Sequence, residues 1–273
     1  MQDGFFYNLR AQRVIFDPRT GIFTVVALIS PIQSRIENVE FTISSFAAYS
    51  SIQTESESFG YHLGMSRSAF DYLPEEFSYP ALRDAAAGCR GCDLYKDATQ
   101  TVFGEGDLTS GIVFVGEQPG DEEDIKGHPF VGPAGRLLDK ALVEAGIDRQ
   151  QIYLTNAVKH FKWKPQGKRR LHERPKASEI AACDPWLRAE LMLTEVKLLV
   201  CLGATAAQSL FGRDFRVTKM RGQWLESDIA PLAMATIHPS AILRAPSDTR
   251  EGEYRDFVAD LSRVSLQIAS LTG

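Results

Sequence analysis

Four short apolar runs, each bounded by residues that favour turns, punctuate the later part of the chain: GIVFVG (111–116), IYLTNAV (152–158), KLLVCLG (197–203) and LAMATIHP (232–239). A strand covered on both faces reads as a continuous apolar run rather than an alternating one, so these segments predict buried parallel strands. Between them apolar residues recur at helical spacing, in AGRLLDKALVEAG from 134, ASEIAACDPWLRAELMLTEV from 177 and ATAAQSLFG from 204. An amphipathic helix, EYRDFVADLSRVSLQIASL, follows the last strand. Alternating strands and helices predict an α/β fold, a three-layer αβα arrangement around a central four-stranded parallel sheet.

Residues 1–75 read differently. QRVIFDPRTGIFTVVALI holds strand-like pieces about a plausible DPRTG turn, and SSFAAYSSIQTESESFG is serine-rich and reads as linker. This extension, expected to be β-rich or partly disordered, carries no recognisable chemistry. The α/β domain is expected over 76–273.

No apolar run approaches the length of a membrane span, and MQDGFFYNLR lacks the pattern of a secretory signal. A cytoplasmic protein with no membrane association is the expectation. The net charge of −5 argues against a general coat of positive charge. Yet KHFKWKPQGKRRLHERPK (159–176) has Glu173 as its only acid. Screening confines charge effects to roughly 10 Å, so a basic strip on an acidic body can still hold phosphates.

The unusual polar residues sit just past the strand ends, where open α/β sheets bind ligands. EQPGD follows the first strand, Asn156 ends the second, and HPS follows the fourth. GEQPGDEED leads into the glycine-rich KGHPFVGPAGRLL, whose glycines permit close backbone approach, but the spacings of a Walker or dinucleotide loop are absent. Four cysteines complete the inventory: Cys89 and Cys92 in a CxxC pair, then Cys183 and Cys201 with the seventeen residues 184–200 between them. A reducing cytosol disfavours disulfides, which leaves four separate buried thiols or, as the CxxC pair suggests, four ligands of one metal centre.

In this order, GEQPGDEED, GHPFVGPAG, TNAVKHF, KRRLH and HPSAILR resemble the motifs of the uracil-DNA glycosylase superfamily. The likeness is greatest to the UdgX group, relatives of the family 4 iron–sulfur enzymes. The resemblance implies the uracil-DNA glycosylase-like fold and a 4Fe-4S cluster on Cys89, Cys92, Cys183 and Cys201, with zinc as the alternative for four thiolates. It implies that Phe130 stacks on a flipped uracil, that Asn156 reads its amide edge, and that backbone amides around Gln118 assist. His238 would bond the carbonyl oxygen on which charge grows as the base leaves. Asp121 and Glu117, and then Asp124, are the carboxylates that could stabilise the sugar cation. His172 of KRRLH would capture C1′ and leave the protein covalently attached to DNA, with Glu117 orienting its ring or instead shaping the pocket. Lys168, Arg169 and Arg170 would hold this loop on the phosphates and depress the His172 pKa. Ser240 and Arg244 would also contact DNA, and Ile242 and Leu243 could wedge into the space left by the base. The expected partner is uracil-containing DNA, single-stranded by preference, bound by a monomer in the cytoplasm at the nucleoid. Two alternatives stay open: a turnover enzyme that releases an abasic site, and a binder that leaves the glycosidic bond intact.

Overall fold

The computed structural model describes residues 7–17, 22–31, 37–43 and 67–272. Two compact units divide the chain, Met1–Met65 and Ser66–Gly273. In the first, strands β1 (Tyr7–Asp17), β2 (Ile22–Pro31) and β3 (Glu37–Ile43) form an antiparallel meander, with a register shift between Ala11 and Arg13. The strand-like pieces at 12–17 and 22–29 therefore lie in strands, while residues 18–21 of the expected DPRTG turn and the serine-rich 44–60 segment lie outside the described residues.

In the second unit the elements are α1 (Tyr79–Ala87), β4 (Glu105–Gly106), β5 (Ile112–Gly116), α2 (Asp121–Lys126), α3 (Pro133–Glu144) and β6 (Tyr153–Asn156). They continue with β7 (Trp163–Gln166), β8 (Arg169–His172), α4 (Ala177–Met192), β9 (Leu198–Leu202), α5 (Ala204–Phe211), α6 (Val217–Met220) and β10 (Trp224–Leu225). β11 (Leu232–Thr236), α7 (Pro239–Arg244) and α8 (Arg250–Thr272) end the chain. The sheet runs β10-β11-β9-β5-β6-β4. Its four central strands are parallel, as the apolar runs predict, and two-residue antiparallel strands close each edge.

Successive residues of a strand point to opposite faces. Ile112 and Phe114 accordingly pack with Leu138, Leu142, Ile242, Phe257 and Leu261 from α3, α7 and α8. Val113 and Val115 pack with Leu187, Leu191, Ala206 and Ala207 from α4 and α5. These are the three layers. A third cluster, including Ala86, Cys89, Phe103, Cys183 and Trp186, seats the segment before the first parallel strand on α4. The strand order reverses at β5, since β6 lies on one side of it and β9 on the other. Crevices open at such points.

Candidate active site

The sheet delivers its chemistry from the ends of three of its parallel strands. β5 leads into Glu117 and Gln118, β6 ends at Asn156, and β11 leads to His238. Gly116 makes room for the convergence, because a Cβ there would stand 2.3 Å from Asn156 Oδ1 and 2.6 Å from the Phe130 ring. Phe130 has a positive φ of 55°, a conformation that costs a bulky side chain energy and persists only where the surroundings impose it. Gly135 contributes to this constraint, since a Cβ there would overlap the Phe130 carbonyl. The Phe130 ring is buried, 6.2 Å from that of His238.

His238 caps α7. Its Nδ1 accepts the Ser240 backbone N–H at 3.1 Å and lies 2.8 Å from Ser240 Oγ. A backbone amide can only donate, so Nδ1 is bare and the ring proton sits on Nε2. Burial, then the charges of Arg244 and His172, push the His238 pKa down to about 4. The residue is therefore a neutral N–H donor at neutral pH. Ser240, expected to contact DNA, is occupied in orienting this ring.

The basic stretch is a β-hairpin rather than a loop. β7 and β8 pair with Gln166 opposite Arg169, leaving Gly167 and Lys168 as a two-residue turn. Gly167 has φ +60°, which such turns require at their first central position. Alternation then sorts the motif. Arg170 and His172 contact the body, at Asp121 and Asp124 and at Gln118 and Phe161, whereas Arg169 and Leu171 lie on the other face; His172 is itself 40% exposed. The Gln118 side chain fastens the hairpin's base, its Nε2 donating to Lys162 O and to Glu173 O at 3.1 Å while Oε1 accepts from Lys162 N. This clamp is what the structure shows of the Gln118 side chain.

The same Gln118 nitrogen lies 3.0 Å from His172 Nε2, so its two N–H groups are shared among three acceptors. An amide N–H2 cannot accept, so Nε2 is unprotonated and neutral His172 carries its proton on Nδ1. Glu117 Oε1 stands 3.6 Å from this same Nε2, an ion-pair distance rather than a hydrogen bond, and does not face the other ring nitrogen. The other Glu117 oxygen accepts from Thr205 Oγ1. Burial lowers the His172 pKa, against the raising effect of Glu117, and Arg244 adds to the lowering. Lys168, Arg169 and Arg170, expected to depress this pKa, are not among the causes of the shift.

Arg170 is not presented to phosphates. Its Nε donates to Asp121 at 2.5 Å and its Nη1 to the fully buried Asp124 at 2.5 Å. Its guanidinium lies over Phe161 and Trp163 at 5.4 and 5.6 Å. Asp121 is correspondingly committed to Arg170 instead of standing free beside a sugar. Lys168, Arg169 and Arg244 are exposed and, among the described residues, have no ion-pair partner. Ile242 is buried in the core and cannot act as a wedge, while Leu243 is 39% exposed.

The cysteines separate. Cys89 and Cys183 share one packing cluster with Cys92 at its margin, and the charges of Cys92 and Cys89 both act on Cys183. Backbone amides already point at two of these sulfurs, Gly91 N to Cys89 Sγ at 3.4 Å and Lys159 N to Cys183 Sγ at 3.3 Å. Cys201 is different. It lies mid-strand in β9 among Val115, Leu187 and Ala235, and burial alone raises its pKa. It does not belong with the other three, because two cysteines near in sequence can point into different layers. Among the described residues no three His, Cys, Asp or Glu side chains are placed to grip one metal ion, so the donor set does not support a single zinc. A sulfur-rich cluster binds its ligands to different irons and suits three thiols with N–H groups aimed at sulfur. Buried Trp186 adds to this fit with an Nε1–H that has no acceptor.

Two buried groups are invisible to motif reading. His160 contacts Thr101 Oγ1 through Nε2 at 3.0 Å. That hydroxyl donates to Ala86 O, so it accepts from the ring and leaves Nδ1 bare. Beneath Asn156, Lys159 Nζ donates to the Asn156 carbonyl and to Thr155 Oγ1 at 2.7 Å, and pairs with fully buried Glu190. Glu190 in turn accepts from Gly104 N at 2.7 Å and Tyr153 OH at 2.9 Å. Only the KHF of TNAVKHF hints at either.

A family model described as the uracil DNA glycosylase superfamily matches residues 103–262. The type-4 uracil-DNA glycosylase of Thermotoga maritima is 39% identical over 173 residues, 63% of this chain and 84% of that protein. That of Archaeoglobus fulgidus is 37% identical over 172 residues, covering 60% and 83%, and that of Sulfurisphaera tokodaii is 35% identical over 178 residues, covering 62% and 78%.

Proposed function

The chain belongs to the uracil DNA glycosylase superfamily as a relative of its type-4 members, and on that premise we propose that it excises uracil from DNA and traps itself on the product through His172. Phe130 stacks on the extruded base and Asn156 reads its amide edge, one carboxamide both donating and accepting. The C1′–N1 bond breaks with its electron pair passing to the base. His238 Nε2–H donates to the carbonyl oxygen over which that charge spreads. The sugar is left electron-poor at C1′. The His172 Nε2 lone pair forms the new bond there, the ring keeps its Nδ1 proton, and Glu117 Oε1 stands as counterion to the resulting cation. No proton has to be removed, and a depressed His172 pKa keeps the lone pair available. Lys168, Arg169 and Arg244 meet the phosphates, and a one-sided hairpin suits a strand already unpaired.

The cofactor reading is a 4Fe-4S cluster held by Cys89, Cys92 and Cys183, with His160 Nδ1 in place of Cys201 as the fourth donor. Its chemistry is structural, fastening the segment before the first parallel strand to α4.

The observation that carries the trapping reading is the bare His172 Nε2 between Gln118 and Glu117, beside the strand ends that bear Asn156 and His238. The test is a denaturing gel, with mass spectrometry, of the protein after exposure to a uracil-containing single-stranded oligonucleotide. A heat-stable shifted band modified at His172 is expected, and His172→Ser should lose the band yet still release uracil. A His172→Ser variant that still cross-links overturns the assignment. Free abasic product with no band from the wild type reassigns the chain to turnover chemistry.

A further inference from the structure

Trp186 is fully buried, and its Nε1–H is one of the few buried polar groups in the described residues without a hydrogen-bond partner. Native interiors rarely leave such a donor unsatisfied, and an orphan asks what is missing from its surroundings. Position narrows the answer. Trp186 lies three residues beyond Cys183 on α4, so the two side chains share a helix face. The indole packs in the same cluster as Cys89 and Cys183, its ring edge-on to Phe103 at 6.2 Å. An indole N–H donates and cannot accept. The missing partner is therefore an acceptor, and the buried side chains of that cluster that carry a heteroatom besides Trp186 are the thiols of Cys89 and Cys183.

We propose that Trp186 Nε1–H donates to a sulfur of the iron–sulfur cluster held by Cys89, Cys92 and Cys183. This rests on the cofactor reading above and is independent of base excision. It would make Trp186 a positioning and tuning residue of the cluster, extending the backbone N–H···S contacts from Gly91 and Lys159 by one side chain. Donors to cluster sulfur withdraw electron density and raise the reduction potential.

The test compares the full-length wild type with Trp186→Phe, which keeps an aromatic ring against Phe103 and removes the N–H. Iron and sulfide content is measured first, then resonance Raman spectra in H2O and D2O and the midpoint potential. Equal iron in both proteins is expected, with a deuterium-sensitive Fe–S band lost in the variant and its potential shifted to more negative values. Equal iron with identical bands and potential overturns the proposal while leaving the cluster standing. A wild type that contains no iron overturns the cofactor reading and the proposal together. Should Trp186→Phe fail to fold, the wild type labelled at its three indole nitrogens decides the matter. One indole proton shifted and broadened by the cluster is expected, and three ordinary resonances refute the contact.

Discussion

Removing the Arg170 side chain separates two accounts of the basic motif. Arg170→Ala would leave Asp124, which has no solvent exposure, with only the Thr99 amide at 2.9 Å and Gln100 contacts to its backbone. Breaking a buried pair by deleting one partner costs about 3–5 kcal/mol. The lower end applies here, since Arg170 is 20% exposed. Loss of the two cation–aromatic contacts adds roughly 0.5–1 kcal/mol each. A total of about 4 kcal/mol should lower the melting temperature of a unit this size by roughly 8–16 °C. Asp121→Asn is the control, because its half-exposed ion pair should cost under about 1 kcal/mol. Binding is read as the salt dependence of affinity for a single-stranded oligonucleotide at a temperature where both proteins are folded. Each lost phosphate contact on a single strand lowers the slope by about 0.7. Arg169→Ala should show that decrement and Arg170→Ala should not. An Arg170→Ala protein as stable as wild type, with the slope reduced, would refute the clamp and restore Arg170 to the DNA interface.

Cys201→Ala should retain full iron and sulfide content, whereas Cys183→Ala and His160→Ala should lose iron, as measured by metal analysis of the purified proteins. Lys159→Met strands Glu190 in the core and should destabilise by about 3–5 kcal/mol in urea unfolding, with Lys159→Met/Glu190→Gln recovering much of it. For His238 the folded pKa lies below the unfolded value of about 6.5, so the unfolded state binds more protons between the two. Its contribution is present above pH 6.5 and lost as pH falls towards about 4. His238→Asn should flatten the pH dependence of unfolding in that window by about 3 kcal/mol.

The four parallel strands were legible because burial on both faces makes each a plain apolar run. The strand-end residues were legible because topology sends ligands to the carboxyl ends. The hairpin was not, since its two strands are almost wholly polar and only Gly167 marks the turn. Nor was the split within KRRLH, because a motif names residues and says nothing of the face each presents. Cys201 misled for a related reason: a thiol in a central strand behaves as a small apolar side chain. His160, Lys159 and Trp186 act through burial and hydrogen bonding, which no spacing encodes.

The hairpin works as a ruler marked in steps of two. Because its inward and outward residues alternate, inserting one residue between Arg170 and His172 would put those two on opposite faces of the hairpin, without removing any residue of the motif. Chains related to this one can therefore vary the tip, where Gly167 and Lys168 project beyond both strands, far more freely than the spacing between Arg170 and His172. A homologue that preserved every letter but shifted that spacing by one would keep the composition of the site and lose its reactivity.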